Sequence, residues 1–194
     1  MDALVIVDAQ NEFSRRGLRA VPNHASALSA IIRWLDHARA AGWPIAFIQH
    51  HNRPHESRAF VPGSWGAELS PGVHPQADRA DERLFQKDVY GAFTTTALAE
   101  WLRQRGAQRV VVVGFYAHMC LSTSVREALV RDFEVSVDPA ATGARDLQHE
   151  TLGHQSADEV VRSALLQLID MGATVVTTPS ATGRSTKLAG TGAA

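Results

Sequence analysis

The sequence has a single cysteine, Cys120, so no intrachain disulfide staples the fold. It has no strong charge of either sign: 19 Lys and Arg against 20 Asp and Glu leave a net charge of −1. That excludes a generally basic nucleic-acid binder, which needs a clustered cationic surface. No apolar run approaches the roughly 18 residues that cross a bilayer, so no membrane partner is expected. The N-terminus, Met1-Asp2-Ala3, lacks the basic segment and cleavage pattern of a secretory signal, and the expected location is cytoplasmic. No Gly-x-Gly-x-x-Gly or P-loop pattern occurs, so no nucleotide cofactor is expected. No internal repeat is present.

What is there suits one domain. The chain has 194 residues, of which 45% are apolar, enough for one sizeable core. Residues 1–178 read as that domain and 179–194 as a Gly/Ala/Thr-rich tail. Ala3–Val7, Pro44–Ile48, Val110–Val113, Phe133–Val137 and Ala173–Thr177 read as strands, with a weaker one near Arg83–Phe85. Their mostly unbroken apolar character fits strands covered on both faces. Helical spacing appears at Leu28, Ile31, Ile32, Leu35 and Ala38 up to Gly42, at Leu98, Trp101 and Leu102, at Leu121, Val125, Ala128 and Leu129, and from Val160 to Ile169. Alternating strands and helices predict βαβ units and a three-layer α/β/α fold. The stretch from His50 to Asp81 has little periodicity and several prolines, as binding loops do.

In a parallel sheet, ligands bind outside the carboxyl ends of the strands. Asp8 ends the first strand, Lys87 follows the weak one, and Cys120 lies where the fourth strand gives way to a helix. A carboxylate, an ammonium and a thiol therefore share one edge. Each has a plainer reading: turn residue, solvated surface, small buried hydrophobe. A helix N-terminus favours a thiolate, and the thiolate is the nucleophile.

Three stretches resemble the isochorismatase-like cysteine hydrolase superfamily, which includes nicotinamidases and carbamoyl-amide hydrolases. They are Ala3 to Phe13, Lys87-Asp88-Val89-Tyr90-Gly91-Ala92-Phe93, and Val110 to Cys120; Phe60 to Glu68 resembles the loop before the lysine strand. The resemblance runs from about residue 3 to 177 and implies a parallel Rossmann-like sheet in the order 3-2-1-4-5-6. It implies Cys120 as nucleophile, Asp8 as base and then acid, and Lys87 as their charge partner. It also implies a non-proline cis peptide at Phe115–Tyr116, with backbone N–H groups near Tyr116 and Cys120 receiving the oxyanion. The expected reaction is hydrolysis of a C–N bond in a small amide or carbamoyl compound through an acyl-enzyme thioester. The rivals are a vinyl-ether hydrolase of the same fold, which typically lacks the cysteine, and a catalytically silent binding domain. Gln10, Phe13, Trp65 and Tyr116 are the candidate pocket residues, with core packing the other reading for Trp65. A small-molecule substrate and a homo-oligomer, dimer or larger, are the expected partners.

The chain departs from the family pattern at Ala117, where many members have Thr, and at Tyr116, where many have a small residue. A bulky Tyr116 reshapes the pocket and so bears on the substrate. Nicotinamidases hold a metal through an Asp-x-His pair after the second strand. Here that stretch is Phe47-Ile48-Gln49-His50-His51-Asn52-Arg53, without the Asp, so no metal is expected. His149-Glu150-Thr151-Leu152-Gly153-His154 resembles a zinc helix motif with one residue too many. On a helix its two histidines would point about 140° apart, too far to share a metal.

Overall fold

The protein is described by a computed structural model covering residues 1–180. The tail expected from 179 onward lies almost wholly outside the described residues. The elements are β1 (Asp2–Val7), α1 (His24–Ala41), β2 (Ile45–His50), β3 (Glu82–Lys87), α2 (Leu98–Gln104), β4 (Arg109–Phe115), α3 (Ser122–Leu129), β5 (Glu134–Gly143), β6 (Leu147–His149), β7 (Gly153–Gln155), α4 (Ala157–Asp170) and β8 (Thr174–Val175). Six strands form one sheet in the order β3-β2-β1-β4-β5-β8, all pairs parallel. This is the predicted order, with β8 as the sixth sheet strand. No helix among the described residues is long and apolar enough to cross a membrane.

Side chains alternate across a strand, and β1 shows why its apolar run is unbroken. Ala3, Val5 and Val7 pack with Leu98, Trp101 and Leu102 of α2, Val125 and Ala128 of α3, and Leu165 and Leu168 of α4. Leu4 and Ile6 face the other way, onto Ala27, Ile31, Trp34 and Leu35 of α1. Both faces are covered, so neither can be polar. Helix α1 stops where expected: Gly42 takes φ 66, a left-handed cap that glycine adopts freely. Helix α4 opens with a capping box between Ser156 and Glu159.

Three boundaries differ from the sequence reading. β5 runs on through Pro139 to Gly143, past a register shift in its pairing with β4. The last strand is only Thr174–Val175. The His149–His154 stretch forms an antiparallel hairpin rather than a helix, with His149 opposite Gly153 and His154 opposite Gln148. The helical argument there used the wrong period, because Gly153 at φ 82 supplies a turn.

Gly114 holds β4 against β1. It takes φ 121, and a Cβ there would stand 1.9 Å from the Val7 carbonyl oxygen. Only glycine permits that approach, next to the point where the chain leaves β1 for Asp8.

Candidate active site

The strand order reverses direction beside β1: the chain moves outward through β2 and β3, then returns to β4 on the other flank. Crevices form at such switch points. Asp8 emerges from β1 and Cys120 from the turn after β4, so the two flank the crevice. Lys87 is the last residue of β3 and reaches back across the end of β2.

Asp8 is fully buried, with φ 51, in the left-handed region that non-glycine residues seldom occupy. Its N–H donates to Ile48 O at 3.0 Å. Lys87 Nζ donates to Asp8 Oδ2 at 2.8 Å and to Val89 O at 3.1 Å, and lies 3.3 Å from His50 Nδ1. Both charged side chains are almost entirely shielded from solvent. Burial pulls the Lys87 pKa down, but the Asp8 carboxylate beside it raises it and leaves the pKa above the ordinary lysine value. Lys87 is therefore an ammonium. The other carboxylate oxygen, Asp8 Oδ1, is buried and has no hydrogen-bond partner among the described residues.

His50 sits between these groups in the strand order and is paired in register with Lys87. Its Nε2 lies 2.8 Å from Asn52 Oδ1. An ammonium can only donate to Nδ1, so the consistent tautomer carries its proton on Nε2 and gives it to Asn52. Burial, then the Lys87 charge, lowers the His50 pKa and keeps the ring neutral. An Asn52–His50–Lys87–Asp8 chain thus orients the ammonium. Sequence reading gave His50 no such role; its place as the last residue of β2, in register with Lys87, is the signal that carries it.

Cys120 is buried at 7% exposure in a π-type turn, Ala117–Leu121, just ahead of α3. The turn follows a cis peptide between Phe115 and Tyr116. Burial first, and then the Asp8 charge, push the thiol pKa well above its ordinary value; Lys87 offsets only part of this. The expectation of a resting thiolate is therefore corrected: desolvation outweighs the helix terminus, and Cys120 rests as a neutral thiol.

A cavity of about 200 Å³ joins these groups, lined by Asp8, His50, Cys120, Phe13, Phe60, Tyr90, Tyr116, Met119, Arg19, Arg145 and neighbours. Phe13 packs edge-on to Tyr116 at 4.8 Å between ring centroids. Two candidate pocket residues lie elsewhere. Trp65 is 42% exposed and is not among the cavity's lining residues; the Arg16 guanidinium covers its ring at 4.8 Å. Gln10 does not line the cavity. Its amide donates to His50 O and Ala67 O and accepts from His50 N, at 2.7–2.9 Å, pinning the long loop to the end of β2. Asn11 and Glu12 continue this anchoring, to Trp65 O at 3.0 Å and Phe60 N at 3.1 Å. The segment after Asp8 thus secures the loop that roofs the site.

The donor set does not fit a resident metal. Both His50 nitrogens are engaged by Lys87 and Asn52. Among the described residues no group of His, Cys, Asp and Glu side chains converges in a way that could hold an ion.

Comparison with known proteins identifies the family. A model of the isochorismatase domain matches residues 2–180. The secreted isochorismatase effector of Verticillium dahliae is 32% identical over 89% of this chain and 86% of its own length. A nicotinamidase/pyrazinamidase of Mycobacterium tuberculosis is 33% identical, covering 66% of this chain and 79% of its own. The crystal structure of an isochorismatase from Pseudomonas putida superposes with a TM-score of 0.82 at 29% identity, over 91% of this chain and 88% of that one. A parallel sheet in this order, a family domain spanning nearly every described residue, and these relatives place the chain in the isochorismatase family of hydrolases.

Proposed function

We propose that the chain is a cysteine-dependent amidohydrolase acting on a C–N bond of a small amide or carbamoyl compound, with Cys120, Asp8 and Lys87 as its catalytic residues. The observation that carries this is the buried thiol beside a carboxylate whose Oδ1 lacks a partner, with an ammonium fixed on Oδ2. The nicotinamidase/pyrazinamidase relative supports the choice of an amide.

The steps follow from the groups present. Cys120 Sγ attacks the carbonyl carbon while its proton passes to Asp8 Oδ1. The C–N bond breaks, and Asp8 returns that proton to the leaving amine. Water then attacks the thioester and gives its proton to Asp8; the C–S bond breaks, and the proton returns to sulfur. Lys87 balances the negative charge that moves between carboxylate and sulfur. Backbone N–H groups of Tyr116 and Cys120 are the assigned oxyanion donors; one such donor is worth about 3–4 kcal/mol. Phe13, Phe60 and Tyr116 exclude water from the acyl group. No step needs a metal.

Hydrolysis of a vinyl ether by Asp8 alone would leave the buried thiol without a task. Intact mass of protein quenched during turnover of candidate amides tests the choice. An acyl adduct on Cys120, absent from Cys120→Ala, supports the amidase; turnover without one rejects it. A homo-oligomer, dimer or larger, remains part of the reading on the sequence resemblance, and light scattering on the purified chain tests the assembly.

A further inference from the structure

Two arginines line the cavity that contains Cys120, and the proposed hydrolysis gives them no work. Arg19 comes from the loop between β1 and α1, Arg145 from the link between β5 and β6. Neither guanidinium has a hydrogen-bond or ion-pair partner among the described residues. Arg39, Arg53, Arg79 and Arg109 pair with carboxylates; Arg15, Arg58 and Arg162 are as unpaired as the two cavity arginines but lie outside the cavity lining. Both cavity arginines flank Tyr116. Its hydroxyl donates to the Arg19 carbonyl, which ties that loop to the cavity wall. Burial pushes the Tyr116 pKa up to about 12, against the pull of both guanidinium charges. The phenol therefore stays neutral and does not neutralise them. Against the two cations the lining sets Glu56, whose carboxylate accepts the Arg53 N–H at 3.1 Å, while Asp8 is spent on Lys87.

We propose that Arg19 and Arg145 form a carboxylate-binding subsite, so that the substrate is a small amide or ureido acid with its carboxylate at the cavity mouth and its carbamoyl carbon at Cys120. This deepens the amidase reading and rests on it for the position of the carbonyl. The lining is graded: Arg19, Arg145, Glu56 and Tyr90 at exposed positions, the rings of Phe13, Phe60 and Tyr116 and the thiol within. Guanidinium groups suit a planar carboxylate because they donate in a fork. A bulky Tyr116 then has a purpose, since its ring and hydroxyl position one arm of the subsite.

Two measurements test this together. Ammonia release is compared between N-carbamoylglycine and isobutylurea, matched in heavy-atom count with and without the carboxylate. Benzoate and benzyl alcohol are titrated calorimetrically into the wild type, Arg19→Gln, Arg145→Gln and Arg145→Lys. The acid is expected to be preferred over its neutral match by about 10–100-fold in kcat/KM, and each Gln variant to weaken benzoate by about tenfold, with Arg145→Lys retaining part of it. Hydrolysis of both ureas without preference, with benzoate indifferent to the variants, overturns the subsite and leaves the amidase standing. Benzoate binding that depends on the arginines, in a protein that hydrolyses no amide, keeps the subsite and removes the amidase. Loss of both overturns both.

Discussion

Strand β3 buries a charge at each end, and the two ends are built differently. At its start, Glu82 accepts Arg39 Nε at 2.8 Å on one oxygen, and Arg39 Nη2 at 3.0 Å and Gln76 N at 2.8 Å on the other; Arg79 Nε lies 3.1 Å away. Both carboxylate oxygens are hydrogen-bonded, although Arg79 Nε is held there by charge alone, without a hydrogen bond. At its end, Lys87 meets Asp8 with one oxygen bonded and the other bare. A buried acceptor without a donor costs about 1–3 kcal/mol. The same strand therefore carries a closed pair that holds the fold and an open pair with a vacant acceptor facing a thiol. Stability and reactivity are divided between its two ends.

The strongest blow to that comparison falls on the thiol. Cys120→Ala is expected to lower turnover by about 10⁴-fold or more while the protein still folds, because a nucleophile acting as a unit with its base is lost whole. Near-normal turnover in the folded variant would show the open end to be inert. Asp8→Asn comes next, with a loss of about 10²–10⁴-fold, the usual share of a general base. Glu82→Gln probes the opposite end. It should lower unfolding free energy by about 1–3 kcal/mol, read by urea denaturation, and leave kcat where it was. A fall in kcat without one in stability would erase the distinction between the ends.

The pH dependence sharpens it further. A raised thiol pKa keeps Cys120 protonated at neutral pH, so iodoacetamide should label it slowly at pH 7. The rate should climb only above the ordinary thiol range, the reverse of a lowered-pKa cysteine. Fast labelling at pH 7 would mean that Lys87 prevails over burial. The smallest effect is expected from chelation: dialysis against EDTA should leave turnover unchanged. Activity lost on chelation and restored by zinc would break the metal-free assignment.

The strand ends were readable because continuous apolar runs stop at Asp8 and before the Cys120 turn, while the short Leu84-Phe85 pair before Lys87 gave only a weak signal, and parallel sheets gather such ends on one edge. The order of the sheet came with the family resemblance, since apolar runs alone do not say which strands are neighbours. The cavity's mouth was not. Arg19, Asn52, Tyr90 and Arg145 lie in irregular segments, where no periodicity says which way a side chain turns. Trp65 was misplaced because an aromatic in a family loop looks like a wall, while only the fold shows it stacked under Arg16. The charge state of Cys120 depends on how deeply it is buried, a quantity no local motif contains.

Gly114 bears on how this enzyme can change. Its hydrogen is all that separates β4 from the Val7 carbonyl, so a single methyl would drive apart the two strands that deliver base and nucleophile. Residues at the mouth carry no such constraint, since Arg19, Tyr90 and Arg145 hang from connecting segments that can vary without disturbing the sheet. Selection for a new substrate can therefore work freely at the rim, whereas position 114 is closed to it. Laboratory evolution of the pocket should return substitutions at 19, 90, 116 and 145 with the glycine unaltered.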